Sequence, residues 1–97
     1  MAAKVLIKRR FKKEATREIL TILNDLRTSA RRQEGYISGE TLRDPAELQT
    51  LLVIGTWKNL DCWLRWKKNR DREQFEAMLS IYQVGPTKYE EYLSENA

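Results

Sequence analysis

The spacing of hydrophobic residues changes along the chain between the period of a strand and the period of a helix. Strand-like segments bounded by turn residues predict strands over residues 5–11, 36–42, 48–57 and 87–93. Between the first two, apolar residues at steps of three and four predict a helix over residues 13–32, with Arg27 on its polar side. Two shorter helical patterns follow the third strand, at residues 60–69 and from Asp71 towards Gly85. The predicted order is β-α-β-β-α-β, with the second helix broken in two.

Residues that start and stop elements support this order. Gly35 follows the first helix where glycine usually ends a helix, and Asp44-Pro45 favours the turn between the second and third strands. Asn59 or Asp61 can cap the next helix, and Asp71 the piece after it. This is the order of the ferredoxin-like fold, an α+β arrangement in which an antiparallel sheet carries both helices on one face. We expect one domain over residues 1–97, frayed over 94–97.

The third strand predicts a partner. Leu51, Val53, Gly55 and Trp57 alternate with a second set, Leu52, Ile54 and Thr56. Helices can cover only one face of a sheet, and an antiparallel sheet usually keeps the face that meets water polar. Because both faces are apolar here, we expect a second copy of the chain to cover the helix-free face, giving a homodimer.

The composition excludes several kinds of chemistry. The chain has no histidine and one cysteine, so it lacks the usual general base, the commonest metal ligand and the usual haem ligand. Zinc sites, iron–sulfur sites and Cys–His catalysis are excluded with them, and no metal site is expected. No apolar run approaches the roughly 20 residues of a membrane span, and a single cysteine needs no oxidising compartment. We therefore expect a cytoplasmic protein without membrane contact.

The net charge of +4 is concentrated partly in the run from Lys8 to Lys13. Basic residues with interleaved aromatics can bind nucleic acid, but strand alternation divides these charges over two faces. The favoured interpretation is a solvated face and a preference for anionic ligands, with nucleic acid unlikely.

All three tryptophans lie within ten residues, where the third strand gives way to a helix. Around them stand motifs that characterise the chain: Gly35-Tyr36-Ile37-Ser38-Gly39-Glu40-Thr41-Leu42-Arg43-Asp44-Pro45, Ile54-Gly55-Thr56-Trp57-Lys58-Asn59-Leu60 and Gly85-Pro86-Thr87-Lys88-Tyr89-Glu90. With these motifs and its basic first strand, the chain resembles the antibiotic biosynthesis monooxygenase family of dimeric α+β barrel proteins, nearly from end to end.

The resemblance implies a cavity in each subunit between sheet and helices. In active family members the cavity holds an aromatic or polycyclic substrate, or haem. Cofactor-independent members let the deprotonated, electron-rich substrate reduce O₂ directly, while the protein positions it and stabilises its charge. Members that degrade haem use a first-strand asparagine and a histidine after the second helix. Where those members have the asparagine, this chain has Leu6, Ile7 and Lys8. Where they have the histidine, it has Phe75 and Glu76. Haem degradation is therefore not expected, and no cofactor is predicted.

Several residues are candidates for a site of this kind. On the helix over residues 60–69, Leu60, Trp63 and Leu64 form the stripe expected to be buried. Trp66 lies off the centre of this stripe, and the resemblance places it at the position of the functional tryptophan of the haem-degrading members. Arg70, four residues on, can stack on Trp66 or reach an anion. These two are the candidate catalytic residues. The candidate substrate-binding residues are Tyr36, Trp66, Met78, Tyr82 and Tyr89. Glu40 is a further possible base, or a partner for Arg9 or Arg10.

Three functions remain open from the sequence, and nucleic-acid binding through the run from Lys8 to Lys13 ranks last of them. The first is a cofactor-independent monooxygenase acting on a small electron-rich aromatic substrate between sheet and helices. The alternative is a non-catalytic homodimer of the same fold that binds a small ligand or has a structural role. A pocket filled by Trp66 and Met78 would favour the alternative, and an open pocket with converging polar groups would favour the enzyme.

Overall fold

The structure is a computed structural model that describes residues 1–95. Its elements follow in the order β1, α1, β2, β3, α2, α3 and β4. Their bounds are Ala3–Arg10, Thr16–Arg31, Tyr36–Arg43, Thr50–Trp57, Leu60–Lys67, Arg70–Ser80 and Lys88–Leu93. Within residues 1–95 the strands form one sheet of four in the order β2-β3-β1-β4, and every neighbouring pair is antiparallel. The ferredoxin-like α+β fold predicted from the sequence is confirmed.

Several element ends differ from the prediction. Helix α1 begins at Thr16 rather than residue 13, because Ala15 takes a left-handed conformation with φ of 65°. Asn59 caps α2 by accepting a hydrogen bond from the Cys62 amide at 2.9 Å. Helix α3 is capped by Asn69, which accepts from the Asp71 amide, and not by Asp71 itself. Ser94, expected to fray, is tied by its amide to the Ala2 carbonyl at 2.8 Å, while residues 96–97 lie outside the described residues.

The helix-covered face of the sheet holds the core. Strand β1 contributes Ala3, Val5 and Ile7, and β3 contributes the residues paired opposite them, Trp57, Gly55 and Val53. The apolar side of α1 packs on this face through Ile19, Ile22, Leu23, Leu26 and Ala30. Leu79 of α3 is fully buried in the same cluster. The predicted stripe of α1 is therefore the one that faces the sheet.

Helix α2 buries a different stripe from the predicted one. Cys62, Trp63 and Trp66 are buried, whereas Leu60 and Leu64 are only partly covered. The turn before β2 explains the rotation. Gly35, with φ of 85°, accepts from the Lys58 amide at 2.7 Å, and a side chain at this glycine would collide with Cys62. Because α2 is covered by this turn as well as by the sheet, its buried side turns towards Cys62 and Trp66.

A β-bulge lies in β2 between Tyr36 and Ser38, which oppose the successive residues Trp57 and Thr56 of β3. The extra residue reverses the alternation of the strand. Tyr36, Gly39 and Thr41 consequently share the helix-covered side, while Glu40 pairs with Ile54 on the opposite side and is exposed. Glu40 makes no ion pair with Arg9 or Arg10, which pair instead with Glu76 and Glu47.

The helix-free face carries an apolar centre with charged surroundings. Leu6 lies beside Ile54 on the neighbouring strand, and both are half-buried, as is Leu52. Glu40 and Glu90 lie at the two ends of the row through Leu6 and Ile54. The next row brings Lys8 beside Lys88.

Across residues 1–95, no helix combines the length and apolar character needed to cross a membrane.

Candidate functional site

A cavity lies between α1 and the helix-covered face of the sheet, with a volume of about 60 Å³. Its apolar walls come from Ile7, Val53 and Gly55 of the sheet and from Leu23, Leu26 and Ala30 of α1. The opening between these layers persists because Gly39 and Gly55 place no side chain there. Ligand sites for drug-sized molecules usually span about 300–1,000 Å³. The cavity as it stands is therefore much smaller than a site for a polycyclic molecule.

Aromatic side chains form a continuous series along one wall. Tyr36 meets Trp57 edge to face, with ring centroids 5.3 Å apart. Trp57 lies 6.0 Å from Trp63, and Trp63 lies 6.2 Å from Tyr89. Such spacings are those of favourable aromatic pairs. The series runs across the sheet from β2 to β4 and gives the cavity a rigid, electron-rich wall.

Three arginines border the cavity from three different elements within residues 1–95. Arg9 of β1 is 2% exposed and forms an ion pair with Glu76 of α3. Arg72 of α3, also buried, donates to the Tyr89 hydroxyl at 2.9 Å and lies 5.2 Å from the Trp63 ring centre. Both arginines share the Glu76 carboxylate, since Arg72 reaches it at 3.5 Å. The two guanidinium groups are thus held by one carboxylate and by aromatic faces.

Arg27 is held in a different way. This α1 residue is half-buried and donates to the Gly39 carbonyl at 2.5 Å. A carbonyl is a dipole without net charge, so this hydrogen bond does not neutralise the positive charge of the guanidinium. In addition, the Nε atoms of Arg27 and Arg9 are buried without a hydrogen-bond partner within the part of the chain that the structure describes. Buried donors are almost always paired in folded proteins, so these two atoms distinguish the cavity from the rest of the core.

Strand β4 closes the far end of the aromatic series. The Trp63 indole N–H donates to the Glu91 carboxylate at 2.5 Å, and Lys67 reaches the same carboxylate at 3.3 Å. The indole hydrogen bond is the main cause that lowers the pKa of Glu91 below its ordinary value, and Lys67 adds to it. Partial burial acts in the opposite sense but does not prevail. Glu91 is accordingly a fixed negative group that anchors Trp63.

The sequence model of the family described as antibiotic biosynthesis monooxygenase matches residues 2–78. The chain belongs to the antibiotic biosynthesis monooxygenase family. The predicted family resemblance is confirmed, and it covers the cavity walls from β1 to most of α3.

Solved structures with the same fold come from distant relatives. A conserved protein from Methanosarcina mazei Go1 is 18% identical, with a TM-score of 0.87 over 95% of this chain and 91% of its own. SnoaB, a cofactor-independent oxygenase from Streptomyces nogalater, is 13% identical, with a TM-score of 0.83 over 100% and 97%. A candidate antibiotic biosynthesis monooxygenase from Nitrosomonas europaea is 11% identical, with a TM-score of 0.88 over 97% and 90%. No curated protein matches the chain in sequence. At these identities the likenesses show the fold alone.

The structure places the predicted site residues of this family member in different surroundings. Tyr36 and Trp66 both line the cavity, and Trp66 is 3% exposed. Tyr89 touches the site through its contact with Arg72. Tyr82 is half-buried against the core but does not line the cavity. Met78 is exposed, so the cavity is not filled by Trp66 and Met78 together.

Arg70 lies at the exposed start of α3 and does not border the cavity. The arginine that stacks on a tryptophan is instead Arg72, two residues further along, and its partner is Trp63. A shift of two residues turns a side chain through about 200° around a helix. The cation–aromatic contact expected in this region therefore occurs, but on the buried side of α3.

Sequence reasoning missed the arginines of the cavity. Arg9 has the same strand parity as Val5 and Ile7, which was a usable signal, but its position within a basic run made a solvated role more natural. Arg27 was assigned to the polar side of α1, and this assignment is wrong because the residue borders the cavity. Because Arg9 is buried, it is not accessible to nucleic acid as part of the basic run from Lys8 to Lys13. Within residues 1–95 there is no cluster of three or more potential metal-ligating side chains.

Proposed function

We propose that this protein is a cofactor-independent monooxygenase whose substrate, a small electron-rich aromatic compound, binds in the cavity between α1 and the sheet. The observation that carries the proposal is the combination of an aromatic wall with three guanidinium groups around one cavity. Family membership and the fold shared with SnoaB, a cofactor-independent oxygenase, add support.

The proposed chemistry places the redox work on the substrate. A phenolic substrate loses a proton, and its anion transfers electrons to O₂ without a metal or flavin. For a monocyclic phenol with a hydrogen para to the hydroxyl, the phenol and O₂ become a para-quinone and H₂O. The ring C–H becomes C=O, the phenolic proton and the ring hydrogen leave in the water, and the substrate supplies all four electrons. The guanidinium groups stabilise the anion and the reduced oxygen that forms next to it. The apolar walls exclude water, which strengthens this stabilisation.

The proposal gives the candidate residues separate roles. Trp66 and Tyr36 form the walls that orient the ring, and Tyr89 holds Arg72 in place. The anion-stabilising role that the sequence suggested for Arg70 passes to Arg9, Arg27 and Arg72, because these side chains border the cavity. Glu76 is already engaged by Arg9, Arg72 and Thr87, so it serves as a counter-charge that positions both arginines.

The cavity volume favours a second candidate, a non-catalytic binding protein of the same fold. About 60 Å³ is less than the roughly 150 Å³ that accommodates benzene in an engineered protein cavity. A protein that only binds a fragment or a few waters needs no more space. Under the enzyme proposal, the substrate is limited to a single ring, and side chains at the mouth move when it binds.

Oxygen uptake tests the enzyme proposal. The protein is mixed with a panel of monocyclic phenols and hydroquinones, and dissolved oxygen and tryptophan fluorescence are recorded together. We expect saturable quenching with oxygen consumption, both reduced at least tenfold in Trp66→Phe. Ile81→Val, which changes an exposed residue after α3, serves as the matched control and leaves both signals unchanged. Quenching without oxygen consumption for every compound would support the binding protein instead.

We further propose that the protein is a homodimer formed through the helix-free face. Leu6, Ile54 and Leu52 give that face an apolar centre, and carboxylates and lysines of neighbouring rows surround it. In a twofold arrangement the same patch meets itself, so Glu90 of one copy can approach Lys8 or Lys88 of the other. Ile54→Lys should convert the dimer to a monomer in sedimentation equilibrium. Leu20→Lys, the same change on the exposed side of α1, should leave the dimer intact. A monomeric wild-type protein would contradict the proposal.

A further inference from the structure

We infer that the ligand of the cavity is an aromatic carboxylate, whose ring lies against the tryptophans and whose carboxylate bridges Arg9 and Arg27. The inference rests on the proposed site between α1 and the sheet but not on monooxygenase activity. It specifies the charged group that the ligand carries, which the proposed function leaves open.

The first argument is the balance of charge. Arg9, Arg27 and Arg72 bring three positive charges to the cavity, and Glu76 supplies the one carboxylate bonded to them within residues 1–95. Glu40 borders the cavity at its edge, but its strand register turns it to the helix-free side, where it is exposed. Two positive charges therefore stand without a bonded counter-charge. Charge taken out of water requires a partner, and a monoanionic ligand would supply half of what is missing.

The second argument is the geometry of the unpaired donors. The Nε atoms of Arg9 and Arg27 are both buried and without a partner in the described part of the chain, and they belong to opposite walls of the cavity, β1 and α1. A carboxylate has two oxygen atoms that accept in the same plane, so it can join two donors on separate walls. A neutral phenol has one oxygen and no charge, and satisfies these donors less well.

The third argument is the size of the space. The volume of about 60 Å³ is bordered mostly by carbon atoms, next to Trp57, Trp63 and Trp66. One benzene ring needs about 150 Å³, so one wall must yield. Arg27 is the part of the wall best able to do so, because it is half-buried and, among the described residues, its guanidinium is held by one hydrogen bond, to the Gly39 carbonyl. An acid that draws Arg27 away from Gly39 both opens the cavity and occupies it.

The test compares two ligands of the same shape and different charge. Benzoate and benzamide are titrated into the wild-type protein, and binding is followed by tryptophan fluorescence and by calorimetry. A charge-assisted hydrogen bond to a buried arginine corresponds to about a ten- to hundredfold change in affinity. We expect saturable benzoate binding and at least tenfold weaker binding of benzamide.

Two variants on the same helix locate the effect. Arg27→Gln should weaken benzoate binding about tenfold or more and leave benzamide binding unchanged. Arg31→Gln removes the same charge one turn later from an exposed position and should leave both ligands unchanged. Equal binding of benzoate and benzamide, equal effects of the two variants, or no binding of benzoate at millimolar concentration would each overturn the inference.

The outcome is separable from the fate of the proposed function. One outcome is that the wild-type protein prefers benzoate to benzamide, that Arg27→Gln abolishes this preference, and that no hydroxylated aromatic gives oxygen uptake. This outcome would support the anion site and contradict the monooxygenase proposal. Another outcome is that oxygen uptake is equal for phenols with and without a carboxylate group. This outcome would support the monooxygenase proposal and overturn the carboxylate site.

Discussion

Arg9 and Arg10 are neighbours in the chain, yet they lie on opposite faces of the sheet and in opposite environments. Arg9 is 2% exposed and pairs with Glu76 beside the cavity. Arg10 pairs with Glu47 at 2.7 Å, with side chains 59% and 46% exposed. The helix-covered face encloses its charges within a core, whereas the helix-free face leaves them in water. The same residue type therefore has a structural role beside the cavity on one face and a minor electrostatic role on the other.

The difference between the faces also applies to the glutamates of β4. Glu91 lies on the helix-covered side, where it accepts from the Trp63 indole, and Glu90 lies on the helix-free side, where it accepts from the exposed Tyr92 hydroxyl. Both bonds measure 2.5 Å. Composition alone would assign these neighbouring residues the same role. Both carboxylates are exposed, and the difference lies in their partners, since Trp63 is 1% exposed and Tyr92 is 52% exposed. Losing the carboxylate leaves a buried indole N–H without its acceptor in the first case, whereas water can replace the acceptor in the second.

The largest effect is expected from breaking the buried ion pair. Glu76→Ala leaves Arg9 and Arg72 without their shared carboxylate and should lower the free energy of unfolding by about 3–5 kcal/mol. Glu47→Ala removes the exposed partner of Arg10 and should cost about 0–1 kcal/mol. Urea unfolding of both variants measures the difference. Similar losses from the two would show that the faces do not differ in this respect.

An intermediate effect is expected from two glycines with nearly the same positive φ. Gly35, at φ 85°, abuts Cys62 of α2, whereas a side chain at Gly85, at φ 83°, would meet no atom within 4 Å. Gly85→Ala should therefore cost only the left-handed strain, about 1 kcal/mol. Gly35→Ala adds overpacking against Cys62 and should cost about 2–4 kcal/mol in total. Thermal unfolding distinguishes them, and equal shifts in Tm would contradict the packing described for α2.

The smallest effect is expected from Glu91→Gln and depends on pH. Because the folded state lowers the pKa of Glu91, its charge stabilises the protein above the ordinary carboxyl pKa, and this contribution is lost as pH falls through the lowered value. At neutral pH the variant should be less stable by under about 1 kcal/mol. The gap to wild type should close in acid.

Glu14→Gln is the matched control for that experiment. Glu14 is exposed ahead of α1, away from the sheet faces, so the variant should keep the stability of wild type at neutral pH. A loss at neutral pH as large as that of Glu91→Gln would show that removing any surface carboxylate has this effect, and that the contacts of Glu91 are not its cause.

The fold followed from the sequence because its signals are local and repeated. Periodicity placed the strands and helices, and Asn59 caps α2 as predicted. Gly35 does not end α1, whose C-cap is Arg32, but forms the turn directly before β2. The buried arginines did not follow, because strand parity placed Arg9 on the apolar side while its charge favoured the polar one. That conflict was resolved by Glu76, which lies far along the chain and reaches Arg9 only in the folded structure. A contact between two residues that are far apart in the sequence does not produce a periodic pattern from which it could be predicted.

The site was only partly predictable for a related reason. Trp66 and Tyr36 line the cavity, in agreement with where the family pattern suggested a pocket, but the exposure of Arg70 and Met78 depends on how α3 is rotated relative to the sheet. The break between α2 and α3 sets that rotation. Its position was visible in the sequence, whereas the angle between the two pieces was not.

The bulge in β2 keeps a carboxylate out of the cavity. Unbroken alternation from Tyr36 would place Glu40 on the helix-covered side, whereas the extra residue, Ile37, places Gly39 there instead. Deleting Ile37, which is exposed, would remove the bulge but leave Glu40 opposite Ile54, on the helix-free side. The lining of the cavity is therefore insensitive to the loss of this one residue. The bulge is a point at which the length of the strand can change during evolution without changing the charge of the pocket.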